Sequence, residues 1–194
     1  MRVFCATAPS MPDPFARRHL RRRLAGLLFW RYLAPMTERK TDPIRPTDDE
    51  ARSLARSLIS DARFAALGVI DPETGAPMVT RIALVPGPDG VPLTLISSLS
   101  AHTGALAANP ACSLLIGEPG EKGDPLTHPR LTLQAHAEQA DKAMLKTHYL
   151  THYPKAQLYY DFSDFGLFRF TPLAGLLNGG FGKAYRLTPG DLMG

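Results

Sequence analysis

The chain has 194 residues, a formal net charge of +4, 44% hydrophobic and 21% charged residues, the balance of a folded domain and not of a disordered tail. Seven Arg against one Asp put +6 into residues 1–35, and the remaining 15 basic and 17 acidic residues leave residues 36–194 at −2, so the body has no phosphate-neutralising character and nucleic-acid binding by it is excluded. The two cysteines, Cys5 and Cys112, make neither a zinc ligand set nor a disulfide framework, which suits a reducing cytoplasm.

In the first 35 residues, Leu20, Leu24, Leu27 and Leu28 fall on one helical face of a segment that also carries Arg17, Arg18, Arg21, Arg22 and Arg23. This basic amphipathic pattern is open to three readings: a membrane-surface helix, an organelle transit peptide or a secretory signal. Arg31 cuts the apolar run too short to span a bilayer, and no small-residue cleavage pattern precedes Met36. We favour a translation start at Met36, with residues 1–35 a basic leader outside the mature protein and residues 36–194 a single domain.

Residues 47–50, Thr-Asp-Asp-Glu, have capping-box spacing, and Leu54, Leu58 and Ile59 then recur at helical period, predicting a helix to about Ser60. Alternation predicts strands over 64–70, 77–85 and 91–98, joined by turns at 71–75 and 86–90. The Ala-rich run 101–109 reads as a short helix stopped by Pro110. Strands over 112–117 and 130–138 flank a loop containing Gly and Pro. Asp141 caps a helix carrying Met144, Leu145 and Tyr149 that resumes after Pro154 through Tyr160. Residues 165–170 and 176–185 form a closing pair of strands. Many short strands with few helices imply a mainly β fold with flanking helices, closed into a small barrel.

The chain has no Gly-rich phosphate loop of either common type, no Gly-x-Ser-x-Gly elbow and no His-Glu-x-x-His, so nucleotide hydrolysis, hydrolase and zincin chemistries lack their residues. His148 and His152 have i, i+4 spacing for a metal, but without a third ligand two exposed or ring-stacked histidines are the simpler reading. Ser97, Ser98, Ser100, His102 and Thr103 gather hydroxyls and an imidazole at the start of the short helix, a setting for phosphate. The helix dipole supplies about 0.3–1 kcal/mol and each charged hydrogen bond about 1.5–3 kcal/mol, so such an anion also needs a cation. Arg81, inside the apolar run 78–84, is a candidate; it either reaches solvent or meets a fixed anion, just as residues 98–103 are either an anion site or an N-cap. Lys183 follows Gly179-Gly180-Phe181-Gly182, glycines that mark either a close approach to the backbone or a barrel corner.

These pieces together resemble the pyridoxamine 5'-phosphate oxidase-like FMN-binding split barrels, and more closely their HugZ-like haem-utilisation branch. The resemblance runs from about Ala51 to Leu192. It is carried by residues 58–67 (Leu-Ile-Ser-Asp-Ala-Arg-Phe-Ala-Ala-Leu), 80–84 (Thr-Arg-Ile-Ala-Leu), 98–103 (Ser-Leu-Ser-Ala-His-Thr), Asn109-Pro110, 128–134 (His-Pro-Arg-Leu-Thr-Leu-Gln) and 179–184 (Gly-Gly-Phe-Gly-Lys-Ala). It implies a six-stranded antiparallel split β-barrel that forms a homodimer, with FMN or haem in the interface cleft. It further implies that Arg81, Ser98, His102 and Thr103 hold the FMN phosphate, that the backbone at Ile82 and Ala83 faces the flavin ring, and that Lys183 approaches phosphate or ring. The haem-degrading members use a C-terminal histidine for iron, whereas the last histidine here is His152. The substrate-phosphate Lys, Tyr and Arg set of the true oxidases has no clear match.

The reading that follows first is a cytoplasmic FMN-dependent oxidoreductase acting on a small molecule, without a membrane span. The second is a haem-binding or haem-storage module with His102, His128 or His136 as ligand. The third is a cofactor-free dimeric barrel with an interaction role.

Overall fold

Alternation of buried apolar and exposed or small side chains builds a sheet in this protein, whose computed structural model describes residues 43–193. The basic leader, Cys5 and the start at Met36 lie outside the described residues. In chain order the elements are β1 (Ile44–Arg45), α1 (Asp49–Asp61), β2 (Phe64–Ile70), β3 (Pro77–Ala83), β4 (Val85–Pro86), β5 (Pro92–Ser97), α2 (Ala101–Ala108), β6 (Ala111–Ile116), β7 (Arg130–Gln139), α3 (Lys146–His152), β8 (Phe165–Asn178), β9 (Ala184–Leu187) and α4 (Pro189–Leu192). One-turn 3-10 helices stand at Pro125–Thr127 and Pro154–Leu158.

The nine strands form one mixed sheet, not six antiparallel strands in a closed ring. Its order is β1-β9-β8-β7-β6-β2-β3, with β5 pairing β4 and β8 off that path; β1 and β9 are parallel. The count differs because β8 is a single strand of 14 residues. Its first residues pair with β5, Leu93 opposite Arg169, its last with β9, Gly175 opposite Leu187, and its other edge with β7. Pro172, which has no N–H to donate, lies beside the register shift at Gln134/Ala135, where an irregular ladder accommodates it.

The predicted strand over 176–185 is split by a turn. Gly180 and Gly182 have φ of 118° and 68°, which side chains resist, and Gly179 N donates to Lys183 O at 2.7 Å to close it. The predicted capping box at residues 47–50 also resolves differently. Asp48 caps α1, accepting from Ala51 N at 2.8 Å, because the Thr47 hydroxyl donates to Arg186 O instead and Glu50 pairs with Lys183.

Two cores hold these elements. In the larger, Ala51, Ala55 and Ile59 of α1 lie against Leu67, Leu114, Leu131, Leu133 and Phe170 of the sheet. Truncating any of these fully buried leucines costs about 2–5 kcal/mol in transfer and cavity terms. The smaller core joins Val85, Leu93, Leu95 and Leu167 to Tyr149, Ala156 and Tyr160, and so seats α3 and the following 3-10 turn on β5 and β8. Buried Thr94 donates to Ala83 O at 2.7 Å, tying β5 to the end of β3 although no ladder joins them. Among the described residues no helix is long and apolar enough to cross a membrane.

Candidate functional site

The site starts from strand register. Arg81 of β3 stands opposite Ala66, Ala66 opposite Leu115, Leu115 opposite Thr132 and Thr132 opposite Leu176. With a period of two, this row faces away from the buried row through Leu67, Leu114 and Leu133. Arg81 is therefore exposed on the outer face, with its guanidinium 5.0 Å from the centre of the Phe64 ring. It has no ion pair or hydrogen bond among the described residues.

Arg81, Ile82, Ala83 and Leu84 form one wall of a cleft of about 940 Å³. Residues 60–64, where α1 passes into β2, form a second wall, and residues 152–155, where α3 passes into its 3-10 turn, form the third. Arg63, Arg81 and Lys155 converge here against the single carboxylate of Asp61. Neither the Arg63 nor the Lys155 side chain has a partner among the described residues. Such an excess of unneutralised cations attracts anions, and the planar Arg fork suits carboxylate or phosphate.

His152 also lines the cleft. Its Nδ1 lies 2.9 Å from the His148 carbonyl oxygen; a carbonyl only accepts, so Nδ1 carries the proton. The two imidazoles stack with centroids 4.4 Å apart, and His148 Nε2 donates to Pro86 O at 2.7 Å. The i, i+4 pair is thus ring-stacked, and no group of three or more His, Cys, Asp or Glu side chains suited to a metal occurs among the described residues.

Ser98, His102 and Thr103 lie together at the turn between β5 and α2. The Thr103 hydroxyl donates to Ser97 O at 2.7 Å, the Ser98 hydroxyl is without a partner, and His102 Nε2 is buried without one. Burial lowers the His102 pKa below its ordinary value and favours the neutral ring. Since β4 and β5 run antiparallel, moving along β5 from the Thr94 tie toward Ser98 follows β3 back from Ala83 toward Arg81. The turn and Arg81 therefore lie on the same side of that tie. One carboxylate also stands at the turn: Asp164 accepts from the Ser97 hydroxyl at 2.6 Å.

The remaining sequence candidates are placed elsewhere. Lys183 Nζ pairs with Glu50 at 3.1 Å and does not line the cleft. His128 uses both ring nitrogens within its own loop, Nδ1 accepting from Gly120 N and Nε2 donating to Lys122 O. His136 is exposed on the outer face of β7, opposite Ala111 and Thr171. Cys112 is no nucleophile, because burial pushes its thiol up to about 11. Sequence reasoning missed Arg63 and Lys155: each is a lone cation beside a helix end, and only the fold brings both to the cleft that Arg81 lines.

A family model described as pyridoxamine 5'-phosphate oxidase matches residues 52–177. The chloroplastic haem oxygenase HOZ of Arabidopsis thaliana is 38% identical over 101 residues, covering 50% of this chain and 30% of that protein. Among solved structures, a haem binding protein from Mycobacterium smegmatis matches with a TM-score of 0.67 and 25% identity over 77% of this chain and 61% of that one. A protein of unknown function from Agrobacterium tumefaciens matches with a TM-score of 0.67 and 32% identity over 78% and 64%. The chain thus spans about a third of the plant relative and less than two thirds of these two solved chains. With its model matched across α1 and the sheet as far as β8, the chain belongs to the pyridoxamine 5'-phosphate oxidase family.

Proposed function

We propose that the protein binds haem in the cleft between β3, the α1–β2 junction and residues 152–155, and acts in haem utilisation. The observation that carries this reading is the convergence of three unpaired cations, Arg63, Arg81 and Lys155, on one cleft of about 940 Å³. A porphyrin presents two carboxylates on a flat apolar body. Arg and Lys at the rim suit the carboxylates, and the half-buried Phe64 ring suits the porphyrin face, while Ile82 and Leu84 border the cleft from within the core. The haem oxygenase and the haem binding protein among the relatives support the same class of ligand. Bound haem would supply the iron chemistry; this chain would bind and orient the ring and hold its carboxylates.

A second reading, an FMN-dependent oxidoreductase acting on a small molecule, is favoured by the β5–α2 turn. There the unpartnered Ser98 hydroxyl stands on the Arg81 side of the Thr94 tie with Thr103 beside it, and His102, whose Nε2 is enclosed by protein, would have to turn outward to complete a donor set for a phosphate. The backbone at Ile82 and Ala83 would then face the flavin, and Lys183 would have to leave Glu50. The Asp164 carboxylate at the same turn repels a dianion, which is why we place this reading second. Both readings place the protein in the cytoplasm as a homodimer, with the cofactor against the outer face of the sheet.

Parallel titrations with haemin and FMN at micromolar concentration separate the two. A saturable Soret band without FMN uptake supports haem; release of FMN from purified yellow protein, with no Soret band, supports the second reading. Failure of both cofactors to bind removes both readings. Arg81→Ala is expected to weaken binding of the true cofactor about tenfold or more, and unchanged affinity would show that Arg81 only faces solvent.

A further inference from the structure

The haem reading, on which this inference rests, leaves the iron without an assigned side chain. Of the histidines among the described residues, His128 has both nitrogens engaged, His148 has spent Nε2 on Pro86 O, His102 has its Nε2 enclosed by protein, and His136 belongs to the outer face of β7. His152 alone among them both lines the cleft and presents a free Nε2. Its Nδ1–H is spent on the His148 carbonyl at 2.9 Å, so the neutral ring carries its lone pair on Nε2. A metal-ligating histidine needs this arrangement: one nitrogen fixed by a backbone acceptor, the other free to bind.

The ring is also held. His148 stacks on it at 4.4 Å and is itself fixed to Pro86, another lining residue of the cleft. Between the two histidines, Tyr149 is buried in the smaller core, which fixes α3 on β5. Lys155, three residues beyond His152, lines the same cleft, and Arg63 faces it from the α1–β2 junction. An iron ligand and two carboxylate partners therefore border one space.

We propose that His152 Nε2 is the axial ligand of haem iron in this cleft, with Arg63 and Lys155 holding the carboxylates of the porphyrin. The assignment places the iron ligand on α3 and gives His148, which lies against it, the role of a positioning residue.

Haemin titration of the full chain, followed by absorbance and, after reduction with dithionite, by resonance Raman of the ferrous iron–histidine stretch, tests this. In wild type a histidine-ligated Soret band is expected. His152→Ala, at an exposed position, is expected to shift that band, abolish the iron–histidine stretch and weaken binding about tenfold or more, with added imidazole restoring the wild-type band. Arg63→Ala and Lys155→Ala are expected to weaken binding about tenfold with the band unmoved. A His152→Ala protein with the wild-type band and affinity overturns the assignment while leaving the haem reading intact. A wild-type protein that takes up no haemin overturns the haem reading and the assignment with it.

Discussion

At the scale of single residues, the side chains that shape the cleft depend on others that never touch it. Tyr149 is 1% exposed, and its hydroxyl oxygen accepts from Leu95 N at 3.2 Å. Its ring packs edge-on to Tyr153 and tilted against Tyr160, with centroids 6.4 and 5.8 Å away. Burial drives its pKa above the usual tyrosine range, so it is a neutral hydroxyl at any physiological pH. Tyr149→Phe keeps the ring and removes the acceptor, leaving a buried N–H unsatisfied at a cost of about 1–3 kcal/mol. We expect a lower urea midpoint with the slope unchanged; an unmoved midpoint would mean that Leu95 N finds another acceptor. Individual residues such as Arg81 were legible as candidates because an Arg within an apolar strand is anomalous. Arg63 and Lys155 were not, since nothing local distinguishes a cleft cation from a solvated one, and His152 was visible only as half of an i, i+4 pair.

At the scale of elements, α1 is joined to the end of the chain by a polar clamp. Arg52 Nε donates to Asp191 Oδ1 at 2.7 Å and Arg56 Nε to Asp191 O at 2.9 Å, while Asp191 and Thr188 cap α4 reciprocally. The Thr188 hydroxyl, then Arg52, then Thr188 N–H hold the Asp191 carboxyl down at about 2, below its ordinary 3.8. A depressed carboxyl stabilises the fold above its unfolded value and loses that contribution as pH falls through its folded one. Asp191→Asn should therefore melt a few degrees below wild type at neutral pH, with the gap closing between pH 3.8 and about 2. A gap that persists at the acid end would assign the effect to packing instead of charge. The capping box in this clamp, at residues 188–191, is the one the structure forms; the box expected at residues 47–50 lost its Thr and Glu to long-range partners. Strands β2, β6 and β7 were legible because each alternates against one core, and β5, buried along nearly its whole length, was legible as an apolar run between turns. The span of β8 was not, because its two halves serve different partners and Pro172 looks like a terminator in sequence.

At the scale of the whole molecule, the outer face of the sheet carries a row of apolar side chains that no element among the described residues covers. Ile70, Val79, Leu115, Leu173 and Leu176 are 44%, 71%, 46%, 56% and 43% exposed, and register places Gly68 and Ser113 between them as a shallow floor. A second copy applied through a two-fold axis would cover this face with its own equivalent, so each substitution acts twice at the interface. Arg81 stands two residues from Val79 on the same face, which makes the cleft continuous with the surface the partner would cover. Val79→Glu places a charge, opposed by its own symmetry mate or its neighbours, where desolvation is costly. We expect wild type to sediment at twice the 21.2 kDa chain mass and Val79→Glu to sediment as a monomer with haemin affinity reduced. A monomeric variant with wild-type haemin affinity would show that the interface and the cofactor cleft are separate, and a wild-type monomer would show that this face is not a dimer face at all.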